Sequence, residues 1–470
     1  MKMLIGGSWL DRKETIEVRS PYDGSVVDTV PSADPRDLES ALSSARKGLD
    51  ELSRLGAYER SMILMRAAGS IEARQEEIAV TMSRESGKTI REARGEVSRA
   101  VQTLTLSSEE AKRIYGETVP FDAAPGGQSK MGYAIRVPVG IIAAISPFNF
   151  PLNLVCHKVG PALAAGNPVV LKPASATPLS ALNLAKAFVE ADLPANCLNV
   201  ITGSGGTIGM GLVKDDRVRM VTFTGSLEVG KEIAGNAGLK KLTMELGSNS
   251  CCIIMDDADL ERAAERIRFG GFALAGQVCI SVQRVLVQDR VFDAFVDMLT
   301  TEVESIRTGD PLDEVTEMGP MIDEASAERT LMWVEEARLR GARVLTGGKR
   351  SGTMFEPTVL RDVSRGCNLW FREAFAPVVV VNRFTTMDEA ISAANDSEYG
   401  LQAGIFTRDL KSALEAARRI DVGGVMVNDV PTYRADLMPY GGVKGSGIGR
   451  EGPRYAVQEM TELRVVGFHL

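Results

Sequence analysis

Residues 169–224 read VVLKPASATPLSALNLAKAFVEADLPANCLNVITGSGGTIGMGLVKDDRVRMVTFT. Short runs rich in β-branched and other apolar residues alternate in this stretch with runs of helical periodicity. The pattern predicts strands at 169–171, 198–202 and 220–224, and helices at 182–191 and 208–213. Because a β-α-β-α-β order places parallel strands side by side with helices across their faces, the stretch predicts a doubly wound unit.

A second set of the same kind follows between residues 252 and 427. Apolar runs predict strands at 284–288, 378–383, 404–407 and 424–428, with helical patterns between them. Asp34 followed by Pro35 is typical of an N-cap and the first residue of a helix, so a helix is expected to open the first unit. The predicted fold class is therefore α/β, with two doubly wound parallel-sheet domains.

Two further segments lie outside the α/β units. Residues 122–128 (DAAPGGQ) are a turn-rich break ahead of a strand-like run at 131–137, and we interpret them as the tip of a projecting hairpin. Residues 463–468 (LRVVGF) form a short apolar strand without an obvious local partner. Since an unpaired apolar strand favours pairing with another chain, we expect a small β arm that joins subunits.

Composition and charge exclude several classes of protein. The 470 residues are 44% apolar and 25% charged, as in ordinary globular proteins, and the net charge of −8 provides no basic surface for nucleic acid. Proline and polar residues interrupt the longest apolar stretch, 137–155, so no membrane span is expected. The apolar segment at the amino terminus is too short for a secretory signal, and we expect a cytoplasmic location.

One of the six cysteines differs from the others. The spacing of the six fits neither a disulfide framework nor a metal site, so no bound metal is expected, and five of them are interpreted as buried core residues. Cys279 lies in the run GQVCIS (276–281), where glycine, glutamine and serine replace a periodic apolar face. This environment makes Cys279 the candidate nucleophile.

The side chains available to activate Cys279 limit the kind of enzyme that the chain forms. The chain has only two histidines, His157 and His469, so there is almost nothing from which to build a cysteine-histidine dyad of the protease type. A carboxylate is present at Glu245 in MELG (244–247), and an amide at Asn149 in SPFN (146–149). The set indicates a covalent thiol enzyme in which a group other than imidazole activates the sulfur.

Two strand ends carry residues expected of a nucleotide site. Lys172 and Ser175 follow the strand at 169–171, and nucleotides bind at the carboxyl ends of strands in open α/β sheets. Gly225 and Ser226 open a helix whose N–H groups suit a pyrophosphate. Neither run is a Gly-x-Gly-x-x-Gly fingerprint, and a solvated lysine after an edge strand is the alternative interpretation of Lys172. The glycine-rich run at 203–206 is interpreted as a plain connecting loop, with a further cofactor contact as the alternative.

In chain order, seven motifs resemble those of the aldehyde dehydrogenase superfamily, and the resemblance extends over essentially the whole chain. The motifs are PFNFP (147–151), KPA (172–174), FTGS (223–226), ELG (245–247), GQVC (276–279), EAFAP (373–377) and PYGGVKGSG (439–447). The resemblance implies a dinucleotide-binding domain at 1–121 and 138–245, a catalytic domain at 246–440, and an oligomerisation arm at 122–137 and 455–470.

The resemblance also implies roles for individual residues. Cys279 would attack the aldehyde carbon, Asn149 and the Cys279 N–H would hold the oxyanion, and Glu245 would act as the base. Lys172 and Glu373 would bind the ribose hydroxyls of the cofactor. The other residues expected along the cofactor path are Ile145, Pro147, Phe148, Phe223, Gly225, Ser226, Leu246 and Phe375.

The residue at position 175 bears on the choice of cofactor. Relatives that prefer NAD often have a glutamate at this place, whereas the small, neutral Ser175 leaves room for the 2′-phosphate of NADP. The cofactor is therefore expected to be NAD or NADP, with the preference open.

The run at 433–440 (YRADLMPY) is similar to that of relatives acting on lactaldehyde, glyceraldehyde, sulfolactaldehyde or phosphonoacetaldehyde. Arg434 in this run, together with Arg99, is a candidate for binding an anionic tail on a short aldehyde. Phe150 and Val278 stand where phosphonoacetaldehyde enzymes are expected to have histidine and arginine, which counts against a phosphonate.

The sequence therefore favours an NAD(P)-dependent dehydrogenase that hydrolyses its thioester, acts on a small aldehyde, and forms a homodimer or homotetramer. A CoA-acylating semialdehyde dehydrogenase is the alternative, although such relatives generally lack the glutamate found at Glu245. A nucleotide-independent thiol hydrolase would leave Lys172, Ser226 and Glu373 without a purpose. A binding protein derived from an enzyme would have lost part of the catalytic set.

Overall fold

A computed structural model describes residues 1–470. Its strands are β1 (Met3–Ile5), β2 (Ser8–Leu10), β3 (Thr15–Arg19), β4 (Val26–Pro31), β5 (Glu117–Val119), β6 (Lys130–Pro138), β7 (Ile141–Ile145), β8 (Val169–Lys172), β9 (Leu198–Val200), β10 (Val218–Thr224), β11 (Lys241–Glu245), β12 (Cys251–Ile254), β13 (Arg284–Gln288), β14 (Arg343–Thr346), β15 (Arg350–Ser351), β16 (Met354–Phe355), β17 (Thr358–Arg361), β18 (Val378–Phe384), β19 (Gln402–Phe406), β20 (Gly424–Val427), β21 (Gly447–Ile448) and β22 (Thr461–His469).

The α-helices alternate with these strands. They are α1 (Pro35–Ser53), α2 (Ala57–Ala73), α3 (Gln75–Ser86), α4 (Ile90–Ala111), α5 (Asn153–Ala164), α6 (Leu179–Glu190), α7 (Met210–Lys214), α8 (Leu227–Asn236), α9 (Leu260–Phe272), α10 (Phe292–Glu304), α11 (Glu324–Leu339), α12 (Asn368–Phe371), α13 (Met387–Asn395), α14 (Leu410–Arg419) and α15 (Pro453–Glu459). None of them is long and apolar enough to cross a membrane.

The first large sheet has eight strands in the order β2-β1-β9-β8-β7-β10-β11-β21. Its centre, from β9 to β11, is parallel, as residues 169–224 predict. Along β8, Val169 and Leu171 face one apolar layer and Val170 faces the other, so helices cover both faces of the sheet. The helix predicted to open this unit is α1, and Asp34 caps it by accepting hydrogen bonds from the N–H groups of Arg36 and Asp37.

The second large sheet has seven strands in the order β14-β17-β18-β13-β12-β19-β20. All of its neighbouring pairs are parallel except β14 with β17. The four strands predicted after residue 280 correspond to β13, β18, β19 and β20. The predicted α/β class with two doubly wound sheets is confirmed.

The projecting hairpin is present, and the last strand, which has no partner nearby in the sequence, pairs with this hairpin. Strands β5 and β6 pair antiparallel on either side of the turn-rich break at 122–128. Strand β22 pairs antiparallel with β6 along its full length, from Thr461 opposite Pro138 to His469 opposite Lys130. The partner lies more than 300 positions earlier in the chain, so the local pattern around 463–468 gave no sign of it. Strand β22 still forms one edge of this three-stranded sheet.

The carboxyl ends of four neighbouring strands in the first sheet meet at one edge. Ile145 at the end of β7 lies opposite Lys172 at the end of β8, and Thr224 at the end of β10 lies opposite Glu245 at the end of β11. Residues predicted to bind the cofactor and to act as the base are thereby brought together. This is the edge at which open α/β sheets bind their ligands.

Candidate active site

Two cavities meet at Cys279. The larger cavity has a volume of about 700 Å³ and lies along the edge of the first sheet where the four strands end. The smaller cavity has a volume of about 510 Å³ and lies between α4, α9 and the loop that carries Arg434. Cys279 lines both cavities. A nucleophile at this shared wall is accessible from both cavities.

The loop that presents Cys279 has an unusual backbone. Leu274, Ala275 and Gly276 have φ values of 49°, 51° and 68°, so three successive residues lie in the left-handed region. A Cβ atom on Gly276 would lie 2.0 Å from the carbonyl oxygen of Ala376, so only glycine fits there. Non-glycine residues with positive φ cost energy and are concentrated at functional sites. The packing around this loop therefore fixes the position of Cys279.

The Cys279 sulfur is partly enclosed and has one hydrogen-bond partner. Its Sγ lies 2.9 Å from Oη of Tyr440. Burial raises the pKa of the Cys279 thiol to about 12, and the contact with Tyr440 acts in the opposite direction. At neutral pH the sulfur is therefore mainly a thiol, and forming the thiolate requires a base or a stabilising donor.

Asn149 lies beside Cys279 on the wall of the larger cavity. Its Nδ2 donates a hydrogen bond to the carbonyl oxygen of Gln277 at 3.0 Å, and its Oδ1 accepts one from the Phe150 N–H at 3.1 Å. The second N–H of the amide is left for another acceptor. Glu96 holds the following turn, since its Oε1 accepts from the N–H groups of Leu152 and Asn153, each at 2.9 Å.

Glu245 is buried at the end of β11, and neither of its carboxyl oxygens has a hydrogen-bond partner. Burial, with a smaller contribution from the nearby Glu451, raises its pKa well above the ordinary value. A Cβ atom on Gly441 would lie 2.8 Å from Oε1 of Glu245, so this glycine leaves the space that the carboxyl group occupies. An unpartnered carboxyl group with a raised pKa is suited to accept a proton.

Next to Glu245 is a buried network that the sequence patterns did not indicate. Lys158 donates from Nζ to Oγ1 of Thr224 at 2.6 Å and to Oε1 of Glu451 at 3.0 Å. Arg434 donates to the other oxygen of Glu451 at 2.9 Å. Burial acts to raise the pKa of Glu451, but Lys158 and Arg434 together lower it to about 2. Glu451 is therefore a carboxylate shared by two cations.

The larger cavity collects ten of the eleven residues predicted to bind the cofactor. They are Ile145, Pro147, Phe148, Lys172, Phe223, Gly225, Ser226, Leu246, Glu373 and Phe375. The exception is Ser175, which is exposed and donates from its hydroxyl to the carbonyl oxygen of Gly203 at 3.1 Å. Gly205 and Gly206, which belong to the run interpreted as a plain connecting loop, also line this cavity.

The polar groups of the larger cavity fit a dinucleotide. Nζ of Lys172 is buried and donates only to the adjacent Pro173 carbonyl, and burial lowers its pKa to about 8. Burial raises the pKa of Glu373 to about 8, and its Oε1 accepts from the Ser248 N–H at 2.9 Å. Ser226 caps α8 and lines the cavity, and the N–H groups at the start of a helix are suited to bind a phosphate. An ammonium and a carboxyl group are suited to ribose hydroxyls.

The smaller cavity contains both arginines predicted to contact substrate, and each is already paired with a carboxylate. Arg99 donates to Asp436 from Nε at 3.0 Å and from Nη2 at 2.8 Å. Arg434 is paired with Glu451, and its guanidinium carbon lies 3.8 Å from the centroid of the Tyr440 ring. The Arg99 side chain is 30% exposed and that of Arg434 is 7% exposed, so Arg99 presents more of its surface to the cavity.

His157 is buried in α5. Its Nε2 lies 2.9 Å from Oδ1 of Asp436. Burial lowers the pKa of His157, so the ring is neutral and donates its single N–H to the carboxylate. Asp436 therefore accepts hydrogen bonds from Arg99, His157 and Asn153.

Comparison with known proteins assigns this arrangement to a family. Residues 9–466 match the model of the aldehyde dehydrogenase family. The chain belongs to the aldehyde dehydrogenase family. It is 49% identical over 468 residues to the 3-sulfolactaldehyde dehydrogenase of Priestia aryabhattai, a match that covers 100% of this chain and 98% of that relative. The resemblance inferred from the seven motifs is confirmed.

Solved structures of other aldehyde dehydrogenases share the fold. Aldehyde dehydrogenase 21 from Physcomitrella patens, in complex with its reaction product succinate, aligns with a TM-score of 0.97 at 40% identity and covers 100% of this chain and 98% of its own. The glyceraldehyde-3-phosphate dehydrogenase of Methanocaldococcus jannaschii, complexed with NADP, aligns with a TM-score of 0.94 at 38% identity, covering 98% of this chain and 100% of its own.

These comparisons confirm the class of reaction predicted from the sequence. This aldehyde dehydrogenase is an oxidoreductase whose substrate is an aldehyde and whose cofactor is NAD or NADP.

Proposed function

We propose that the enzyme oxidises a small, hydroxylated or anionic aldehyde to its free carboxylic acid through a covalent bond to Cys279. The position of Cys279 on the wall of both cavities carries this proposal, because one sulfur then faces the cofactor on one side and the aldehyde on the other. The larger cavity would hold the dinucleotide, with Lys172 and Glu373 at its ribose. The smaller cavity would hold the substrate.

In the first step, the Cys279 thiol loses its proton to solvent, the sulfur bonds to the aldehyde carbon, and the carbonyl electron pair moves to oxygen, which gives the anion of a thiohemiacetal. Asn149 supports this step, since the amide N–H not used by Gln277 is available to the oxyanion together with the Cys279 N–H. When bound, the nicotinamide supplies the acceptor for the hydride that leaves the aldehyde carbon. Cys279 is then acylated as a thioester.

In the second step, water hydrolyses the thioester, and Glu245 takes the proton that the water loses. The water oxygen bonds to the acyl carbon while the carbon-sulfur bond breaks, and the electron pair of that bond leaves with Cys279. The unpartnered carboxyl oxygens and raised pKa of Glu245 support its role as this base. The product is the free acid.

A CoA-acylating dehydrogenase remains the alternative for the second step, with CoA in place of water. Glu245 argues for hydrolysis, since transfer to a thiol such as CoA has less need of a buried carboxylate to activate water. Steady-state rates with and without CoA distinguish the two reactions, because only the acylating enzyme would be accelerated by CoA.

Arg99 and Arg434 support a short substrate with an anionic or hydroxylated tail. A guanidinium that already shares a carboxylate retains free N–H groups for a second acceptor. The relatives are consistent with such a substrate, because sulfolactaldehyde and glyceraldehyde 3-phosphate are both 2-hydroxy aldehydes with an anionic tail. Succinate, the product bound to aldehyde dehydrogenase 21, is also an anion.

The free edge of β22 supports assembly of the enzyme into an oligomer. Strand β22 is an edge strand whose exposed apolar side chains include Leu463, Val465 and Phe468, which supports a homodimer or homotetramer joined through the arm at 122–137 and 455–470.

We assign the dinucleotide-binding domain to residues 1–121 and 138–245, and the catalytic domain to residues 246–440. All six cysteines are unpaired, which supports the cytoplasm as the location.

The proposal is tested by following reduced-nicotinamide absorbance while the enzyme oxidises lactaldehyde, glyceraldehyde, succinate semialdehyde and an uncharged aldehyde without hydroxyl groups. Each aldehyde is measured with NAD and with NADP. The proposal requires higher kcat/KM for the hydroxylated or anionic aldehydes, and equal values for the uncharged control would contradict it. We expect Cys279→Ala to abolish turnover while cofactor binding, measured by protein fluorescence, is retained.

A further inference from the structure

Tyr440 touches the reacting sulfur and has no part in the mechanism described above. Its Oη lies 2.9 Å from Sγ of Cys279, and this sulfur is the only hydrogen-bond partner of the hydroxyl. The residue is 2% exposed, so water does not compete for the contact. A buried hydroxyl directed at the nucleophile is placed to affect its charge.

The direction of this hydrogen bond follows from the charge of the sulfur. A thiolate has no proton, so only the phenol is able to donate when Cys279 is ionised. Burial, followed by the nearby Cys279, raises the pKa of Tyr440 well above its ordinary value, so the phenol keeps its proton. The hydroxyl is therefore a donor to the thiolate and is not the base that forms it.

We propose that Tyr440 is a catalytic residue whose hydroxyl donates a hydrogen bond to the Cys279 thiolate, both before attack on the aldehyde and when the thiolate leaves the thioester. The inference rests on the proposed role of Cys279 as nucleophile. During hydrolysis the electron pair of the carbon-sulfur bond goes to sulfur, the proton of the water goes to Glu245, and Tyr440 keeps its own proton throughout.

Arg434 reinforces this donor. Its guanidinium carbon lies 3.8 Å from the centroid of the Tyr440 ring, and its pairing with Glu451 keeps it there. A cation against the ring favours negative charge on the phenol oxygen, which strengthens the O–H as a donor. The other charged groups that act on Cys279 are Glu373 and Glu245, and both oppose a thiolate. Tyr440 and Arg434 are therefore the groups that favour the ionised sulfur.

The inference is tested with Tyr440→Phe, which removes the hydroxyl and keeps the ring beneath Arg434. The rate of Cys279 alkylation by iodoacetamide is measured against pH on the full-length enzyme without substrate. Hydrogen bonds to charged groups are strong enough that we expect alkylation of Tyr440→Phe to be roughly ten-fold slower at each pH below the midpoint, which is equivalent to a rise of about one unit in the pKa of Cys279. The other five cysteines are buried, and Cys279→Ala gives the labelling background.

Tyr433→Phe is the matched control, because it removes a hydroxyl from a tyrosine of the same loop that is 49% exposed. Its alkylation profile should be the same as that of the wild type. Thermal unfolding and cofactor binding show whether Tyr440→Phe is folded. If folded Tyr440→Phe has the wild-type profile, the inference is wrong.

The alkylation assay uses no aldehyde and no cofactor, so its result is independent of the proposed substrate. Loss of turnover in Cys279→Ala tests the nucleophile, whereas the alkylation profile of Tyr440→Phe tests the hydrogen bond. In steady-state turnover we expect Tyr440→Phe to lower kcat by about ten-fold and to leave the KM for the cofactor unchanged, since the hydroxyl contacts the sulfur and does not line the larger cavity. A changed cofactor KM with an unchanged kcat would contradict the inference.

Discussion

Replacing Arg99 with methionine should separate anionic from neutral substrates. Two of its donors, Nε and Nη2, are bonded to Asp436, so Nη1 and the second N–H of Nη2 are free for a substrate anion. One charge-assisted hydrogen bond contributes about 1.5–3 kcal/mol. Because about 1.4 kcal/mol corresponds to a factor of ten, we expect Arg99→Met to lower kcat/KM for an anionic aldehyde by roughly 10- to 100-fold. For a neutral aldehyde of similar length the expected fall is less than about three-fold.

The fold should survive this substitution. Oδ1 of Asp436 keeps the hydrogen bonds from Asn153 at 3.0 Å and His157 at 2.9 Å, whereas Oδ2 loses its one donor, Nε of Arg99, so we expect a folded variant of lower stability. The methionine side chain replaces the apolar stem of the arginine. Thermal unfolding of the variant, compared with that of the wild type, checks this expectation.

The assay is the ratio of kcat/KM for succinate semialdehyde to that for an uncharged aldehyde, measured in wild type and variant. Arg94→Met is the matched control, since Arg94 lies in the same helix and its guanidinium is bound to Glu76 and Glu314 away from the cavity. An equal fall for both aldehydes in Arg99→Met would refute the proposed anion contact. So would an equal change of the ratio in Arg94→Met.

Three further variants test other parts of the proposal. Glu245→Gln should leave the first burst of reduced cofactor intact and slow the steady-state rate by roughly 100-fold or more. The steady-state rate of the variant should also depend less on pH, because the raised pKa of Glu245 makes the wild-type rate increase with pH. An unchanged steady-state rate would remove Glu245 as the base. Ser175→Glu should lower kcat/KM with NADP by roughly ten-fold or more relative to kcat/KM with NAD, since a carboxylate repels a 2′-phosphate. An unchanged ratio of the two kcat/KM values would show that residue 175 does not contact the 2′-phosphate. Val465→Asp should reduce the mass measured by light scattering if the exposed edge strand joins subunits; an unchanged mass would place the interface elsewhere.

Local sequence patterns are sufficient to predict the fold class and many of the residues that line the larger cavity. Residues 169–224 carry the period of strands and helices strongly enough to predict three strands and two helices, and β8, β9 and β10 lie where they were expected. Cys279 was identified as the candidate nucleophile because the residues around it lack the periodic apolar pattern of a buried face. Such patterns depend on residues close together in the sequence, so one amino-acid sequence is sufficient to predict the elements they form.

The contacts between functional groups depend on how distant segments of the chain pack together. Cys279 and Tyr440 are 161 positions apart, and Arg99 and Asp436 are 337 positions apart. The pairing of β22 with β6 and the burial of Lys158 beside Glu451 are likewise contacts between distant segments. Sequence periodicity indicates which face of an element is buried, but it does not specify the residue that is packed against that face.

Ser175 illustrates the same limit at short range. The pattern correctly placed it after β8, yet the turn directs its hydroxyl to the carbonyl oxygen of Gly203 and leaves it outside the lining of the larger cavity. A hydrogen bond depends on distances of a few tenths of an ångström and on angles, which are set when the layers pack. The residues and their order therefore determine the chemistry available to this protein, and the packed structure determines which of those groups act on one another.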